Sequence, residues 1–179
     1  GYSREDVTKG STGYVPISLQ YRPYKALDAR DPSIAGGDPL EKFTNRTVRN
    51  KSVITSNEND LDMILQTRKA MKDKPVVVAV NVAKPMVFNE FEKDVNAIVA
   101  TFEIQDQAIL DILTGVYEPS GLLPFQMPAD MKTVELQKED VPLDMTCHTD
   151  AEGNVYDFGF GLNWSGVIKD ARTEKYVKK

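Results

Sequence analysis

Residues 74–128 constrain the fold more than any other stretch of this chain. Pro75-Val-Val-Val-Ala-Val-Asn-Val82 is a β-branched run without polar alternation, the pattern of a strand covered on both faces. Asn96-Ala-Ile-Val-Ala-Thr-Phe102 repeats the pattern. Between Gln105 and Thr114, Ala108, Ile109, Ile112 and Leu113 recur at helical spacing, and Gly115 stands where a left-handed helix stop belongs. A Pro119-Ser-Gly-Leu-Leu-Pro124 turn then leads into Phe125-Gln-Met-Pro128. Strand and helix signals in this order imply an α/β fold with a mostly parallel sheet sandwiched by helices.

The flanks are read around that centre. Residues 1–56 hold Gly10, Gly13, Pro16, Pro23, Pro32, Gly36, Gly37 and Pro39, and read as a loop-rich insertion. Tyr14-Val-Pro-Ile-Ser-Leu19 and Ser52-Val-Ile-Thr55 are its short extended pieces. Leu61, Ile64, Leu65 and Met71 share one face of a helix starting near Asn57, with Asn57 or Asn59 as its cap; this helix is the crossover before the Pro75 strand. After Pro128 the chain reads as acidic and irregular to Asp150. The α/β core thus covers residues 57–168, and the Lys-rich residues 169–179 form a solvated tail or frayed helix. A length of 179 residues fits one domain with a core of its own.

Composition excludes several function classes. The net charge is −5, and the 22 Lys and Arg are scattered, which argues against a nucleic-acid partner. No apolar run reaches the roughly 20 residues of a membrane-spanning helix. With one Cys and one His, neither an intrachain disulfide nor a multi-His metal site can form within the chain, so no metal or other cofactor is expected. Cys147 reads as an ordinary small side chain and His148 as a surface residue. Phe158, Phe160 and Trp164 read as core, with Gly159 and Gly161 allowing tight backbone turns.

Three ordered blocks resemble the C-terminal α/β sandwich domain of family 3 glycoside hydrolases. They are the strand from Lys74 to Pro85, the block Asp111-Ile-Leu-Thr-Gly115 with Pro119-Ser-Gly-Leu-Leu-Pro124, and Tyr156-Asp-Phe-Gly-Phe-Gly-Leu-Asn-Trp164. Together the likeness covers roughly residues 61–168. Two departures stand out: Glu103-Ile-Gln-Asp-Gln107 replaces the family's Gly-Gln-Glu-Gly-Gly loop, and Leu122 replaces a cation in the Pro-Ser-Gly block.

The resemblance implies a retaining glycosidase of the β-glucosidase type, acting on terminal non-reducing β-linked sugars. It also implies that an N-terminal barrel domain of the same protein supplies the nucleophilic Asp, while this domain caps the barrel's pocket. The chain then reads as a C-terminal fragment that is inactive alone, from a periplasmic or secreted protein. Retaining hydrolysis needs a second carboxyl group about 5 to 5.5 Å from the nucleophile. Gly1-Tyr-Ser-Arg4 resembles the last four positions of the segment that carries this acid/base, which would put the acid/base just before Gly1 and makes Glu5 the nearest carboxylate within the chain, with Tyr2, Ser3 and Arg4 as substrate-facing neighbours. Tyr14, Tyr21 and Tyr24 join Tyr2 in the loop-rich segment, as a sugar platform or as packed aromatics. Ligands of parallel sheets gather beyond the carboxyl ends of the strands, which adds Asn81 and Glu103 as substrate contacts. Asn81 reads first as a turn former, and Glu103 or Asp106 as the start and cap of the next helix. A non-catalytic carbohydrate-binding or interaction module of the same fold is the alternative. If early strands of the sheet are missing, the chain exposes an edge and an apolar face and is open to homo-oligomerisation.

Overall fold

The computed structural model describes residues 19–29, 49–55, 57–138 and 141–176. The expected strand beginning at Tyr14 lies outside the described residues.

The central element is a parallel pair, β3 (Val77–Asn81) and β4 (Ala97–Thr101), in register from Val77 opposite Ala97 to Asn81 opposite Thr101. Amides of Asn96 and Val82 extend the ladder by donating to Val76 O and Thr101 O, both at 2.8 Å. Parallel strands need a long connection between them. Here it is residues 82–96, an irregular crossover whose Val82, Val87, Phe88 and Phe91 are almost fully buried and which ends in a 3-10 turn, Glu92–Asp94. Helix α1 (Glu58–Met71) precedes β3 and sends Leu61 and Ile64 into the same core, with Leu65 packed beside them. Its last expected core residue, Met71, is exposed instead, because the helix ends there and Lys72 turns left-handed at φ 52°. Asn57 occupies the N-cap position without making a side-chain capping bond, and its Oδ1 is buried without a partner.

An α/β fold is therefore present, and the strands expected at Pro75, Asn96 and Ser52, α1 and the later helix all form. One expectation about coverage is corrected. On β3, Val78 and Val80 are half-buried against the core while Val77, Ala79 and Asn81 are exposed. Helix α2 (Asp106–Leu113) buries no residue, and Leu110 and Leu113 face outward. Among the described residues nothing covers the second face of β3. As expected, Gly115 stops α2 at φ +78°, with its amide donating to Ile112 O and the next amide to Asp111 O.

The core is aromatic. Phe91 meets Tyr21 and Phe88 edge-on at centroid distances of 5.8 and 5.6 Å, and Tyr156 stacks on Phe160 at 5.0 Å. Two smaller antiparallel pairs flank it: β1 (Tyr24–Lys25) with β2 (Ser52–Val53), and β5 (Leu162–Asn163) with β6 (Gly166–Val167). The first seats Ala26, Ala29 and Val53 in a satellite cluster.

Three further readings change. Helix α3 (Met131–Leu136) interrupts the stretch read as irregular, capped by Asp130 Oδ1, which accepts the Thr133 amide at 2.7 Å. His148 is buried: its ring meets Tyr156 edge-on at 5.0 Å and its Nε2 stands 3.4 Å from Glu92 Oε2. Trp164 is 62% exposed, because it forms with Ser165 the two-residue turn of the tight β5–β6 hairpin; Phe158 and Phe160 are half-buried, and Phe160 stacks on Tyr156. No described helix is long and apolar enough to cross a membrane.

Candidate functional site

The carboxyl ends of β3 and β4 place Asn81 beside the turn that follows β4. Both Asn81 and Glu103 are exposed. They are brought together by one bond: Asn81 Oδ1 accepts the Glu103 amide at 2.9 Å. Glu103 itself sits at φ +53°, a left-handed backbone that side chains other than Gly and Asn adopt at a cost. Below them the buried Thr101 hydroxyl donates to Val80 O at 3.3 Å, tying the ends of the two strands. Phe102 and Ile104 flank Glu103 with nearly half their surface open, and Phe102 leans edge-on against Phe125 at 6.0 Å. The rim therefore combines a carboxylate, an amide and two apolar side chains. Glu103 does not cap α2: the N-cap position is Gln105, which makes no side-chain capping bond, and Asp106 is the first helical residue.

A group not singled out from sequence lies three residues past Asn81. Lys84 is half-buried, and burial holds its ammonium below the usual lysine range. A single Lys before a Pro carries no periodic signal, so only the structure reveals its setting.

The segment upstream is fastened to the body with several bonds. Val87 donates to Leu19 O at 2.9 Å, and the two oxygens of Glu90 accept the consecutive amides of Tyr21 and Arg22 at 2.6 and 3.0 Å. The Arg22 guanidinium reaches α1, pairing with Asp62 and, at 3.4 Å, with Glu58. Thr55 donates to Tyr21 O. Tyr21 is buried in the core and Tyr24 is half-buried. Burial first, then nearby carboxylates, pushes both phenols up to about 12, so neither serves as a general base near neutral pH. These two aromatics pack against the domain; Tyr2 and Tyr14 lie outside the described residues, as do Ser3, Arg4 and Glu5.

The two glycine-bearing motifs that read as separate blocks in sequence are one structural unit. Leu123 donates to Phe160 O and Gly159 donates to Leu123 O, both at 2.8 Å. Gly161 lies so close to the first block that a Cβ there would stand 2.2 Å from Gly121 O. Gln126 completes the joint by donating from Nε2 to Asp157 Oδ1 at 2.7 Å. Among the described residues no cluster of three or more His, Cys, Asp or Glu is arranged to hold a metal ion.

Comparison with known proteins agrees with this architecture. The model of the glycosyl hydrolase family 3 C-terminal domain matches residues 36–164. Probable beta-glucosidase C of Aspergillus flavus is 34% identical over 107 residues, 60% of this chain and 16% of the relative. Beta-glucosidase C of Emericella nidulans is 34% identical over 103 residues, 55% of this chain and 16% of the relative. A periplasmic beta-glucosidase/beta-xylosidase of Dickeya chrysanthemi is 28% identical over 94 residues, 52% of this chain and 14% of the relative. The chain thus spans about one sixth of the length of the curated relatives it matches. No solved structure gives a significant match.

Proposed function

Because the chain belongs to the glycosyl hydrolase family 3 C-terminal domain family, we propose that it works as the sandwich-domain portion of a retaining β-glycosidase. The substrates are terminal non-reducing β-D-glucosyl or similar β-glycosyl residues. The single observation that carries the reading is the family match over residues 36–164, with relatives named as beta-glucosidases. In this reading a barrel domain elsewhere in the same polypeptide supplies the nucleophile, and the sandwich domain closes one side of its sugar pocket. Residues 2–5 belong to the segment that lines the pocket, with Glu5, or a carboxylate just upstream of it, as acid/base. Glu90 and Arg22 tether the chain that follows this segment. The side of β3 left uncovered among the described residues, and the outward face of α2, fit a domain that packs against another domain. A periplasmic or secreted location goes with this reading, supported by the name of the Dickeya chrysanthemi relative, a periplasmic enzyme.

Proton NMR of the sugar released by the longer protein tests the reaction class. Release of the β-anomer first supports retention; the α-anomer first, or no hydrolysis of any aryl β-glycoside, contradicts it. The altered loop Glu103-Ile-Gln-Asp-Gln107 favours one second reading, a binding module without hydrolysis. Sugar binding by a longer protein that lacks any activity separates the two.

A further inference from the structure

We propose that Glu103 is a sugar-contacting residue and that Asn81 is its positioning residue, acting on the Glu103 backbone rather than on the ligand. The inference rests on the glycosidase reading above and assigns separate roles to two residues at one end of the sheet.

Four residues other than glycine adopt positive φ among the described residues: Asn50, Lys72, Glu103 and Leu143. Asn takes this conformation readily, and Lys72 adopts it where α1 ends. Leu143 lies in a turn outside any strand. Glu103 alone of the four sits at the carboxyl edge of a parallel sheet, where ligands of such sheets collect. A strained backbone persists only where its surroundings hold it, and strain of this kind clusters at ligand sites.

The holding element is visible. Asn81 ends β3 opposite Thr101, so its side chain reaches past the end of β4 to the second residue beyond, and its Oδ1 takes the Glu103 amide at 2.9 Å. That bond commits one lone pair of the Asn81 carbonyl oxygen to the protein's own backbone. It also fixes the residue whose carboxylate projects into solvent between Phe102 and Ile104. An ionised carboxylate accepts hydrogen bonds from sugar hydroxyls, and an aromatic side chain beside it offers an apolar face to the ring. Nothing in the turn needs a glutamate for its geometry, since glycine adopts this φ without strain. What glycine lacks is the carboxylate.

The experiment measures kcat, KM and urea midpoint for the longer protein carrying Glu103→Gly, Glu103→Gln, Asn81→Ala, Asn81→Asp and the Asn81→Ala/Glu103→Gly pair, with an aryl β-glucoside as substrate. Glu103→Gly is expected to raise the urea midpoint while raising KM about tenfold with kcat nearly unchanged; gain of stability with loss of binding is the signature of strain kept for a contact. Glu103→Gln is expected to raise KM in the same direction. Asn81→Ala is expected to raise KM similarly, Asn81→Asp, which keeps the acceptor, to restore it to within about threefold, and the pair to be no worse than Glu103→Gly alone. Unchanged kinetics in Glu103→Gly would overturn the sugar contact and leave the residue a tolerated turn. A further rise in KM from Asn81→Ala in the glycine background would overturn the positioning role and make Asn81 a direct ligand contact. An unmutated longer protein that hydrolyses no aryl β-glycoside would instead overturn the glycosidase reading beneath both.

Discussion

Gly161→Ala is expected to be among the costliest single-methyl additions to this fold. The new Cβ would stand 2.2 Å from Gly121 O and 3.0 Å from Leu122 Cδ2. The carbonyl is backbone, so one of the two glycine-bearing blocks must retreat by roughly 1 Å. The retreat strains the pair of 2.8 Å bonds between Leu123 and the 159–160 backbone. Overpacking of this kind costs about 1 to 3 kcal/mol, and each weakened hydrogen bond adds about 1 kcal/mol, giving a loss of about 2 to 4 kcal/mol. Gly121→Ala is the control, because a Cβ there meets nothing within 4 Å and the backbone is not left-handed. It is expected to change stability by less than about 1 kcal/mol. Urea titration of both variants, followed by tryptophan fluorescence and far-ultraviolet circular dichroism at a common slope, gives the comparison. Equal midpoints for the two variants would refute the claim that the blocks are pressed together at Gly161.

Other consequences can be checked on the same chain. Phe91→Ala removes a fully buried ring with two edge-on partners and should cost about 3 to 5 kcal/mol, read from the urea midpoint. Glu90→Ala orphans the amides of Tyr21 and Arg22 and is expected to cost about 2 to 4 kcal/mol, with hydrogen exchange accelerated first in residues 19–29. Burial above all raises the Glu135 carboxyl above its usual range, against the opposing bond from the Asp28 amide, and leaves its Oε1 without a partner. The folded state therefore binds this proton more tightly than the unfolded one, so its contribution to stability grows as pH falls through the raised value toward about 4.3. Glu135→Gln should flatten that part of the pH–stability curve and be at least as stable as the parent at neutral pH; an unchanged curve would count against it.

Much of the fold was legible because it is written in short range. The Pro75 and Asn96 runs, the helical spacing from Ala108 to Leu113 and the Gly115 stop are local patterns, and β3, β4 and α2 follow them. The Pro-Ser-Gly and Phe-Gly-Phe-Gly blocks carried the family resemblance, but their sequences do not show that they interlock. Long-range packing decided what was misread. His148 is buried because the crossover brings Glu92 to it and Tyr156 covers its ring, neither of which a lone histidine signals. Trp164 is exposed because a two-residue turn reverses the chain around it, although a large apolar side chain ordinarily reads as core. The open side of β3 contradicts its unbroken apolar run, since such a run records a face meant to be covered without naming the cover. At the site, the strand ends mark Asn81 and Glu103 in the sequence, whereas the bond joining them and the left-handed backbone of Glu103 arise from how the two strands pair.

The most direct test of the central claim is hydrolysis of 4-nitrophenyl β-D-glucoside by this chain alone and by the longer protein that carries it. The account predicts turnover by the longer protein and none by the chain, because in the proposed reading the nucleophile is borne by a barrel outside these residues. Turnover by the isolated chain would contradict it, since both carboxylates of the reaction would then have to lie within these 179 residues.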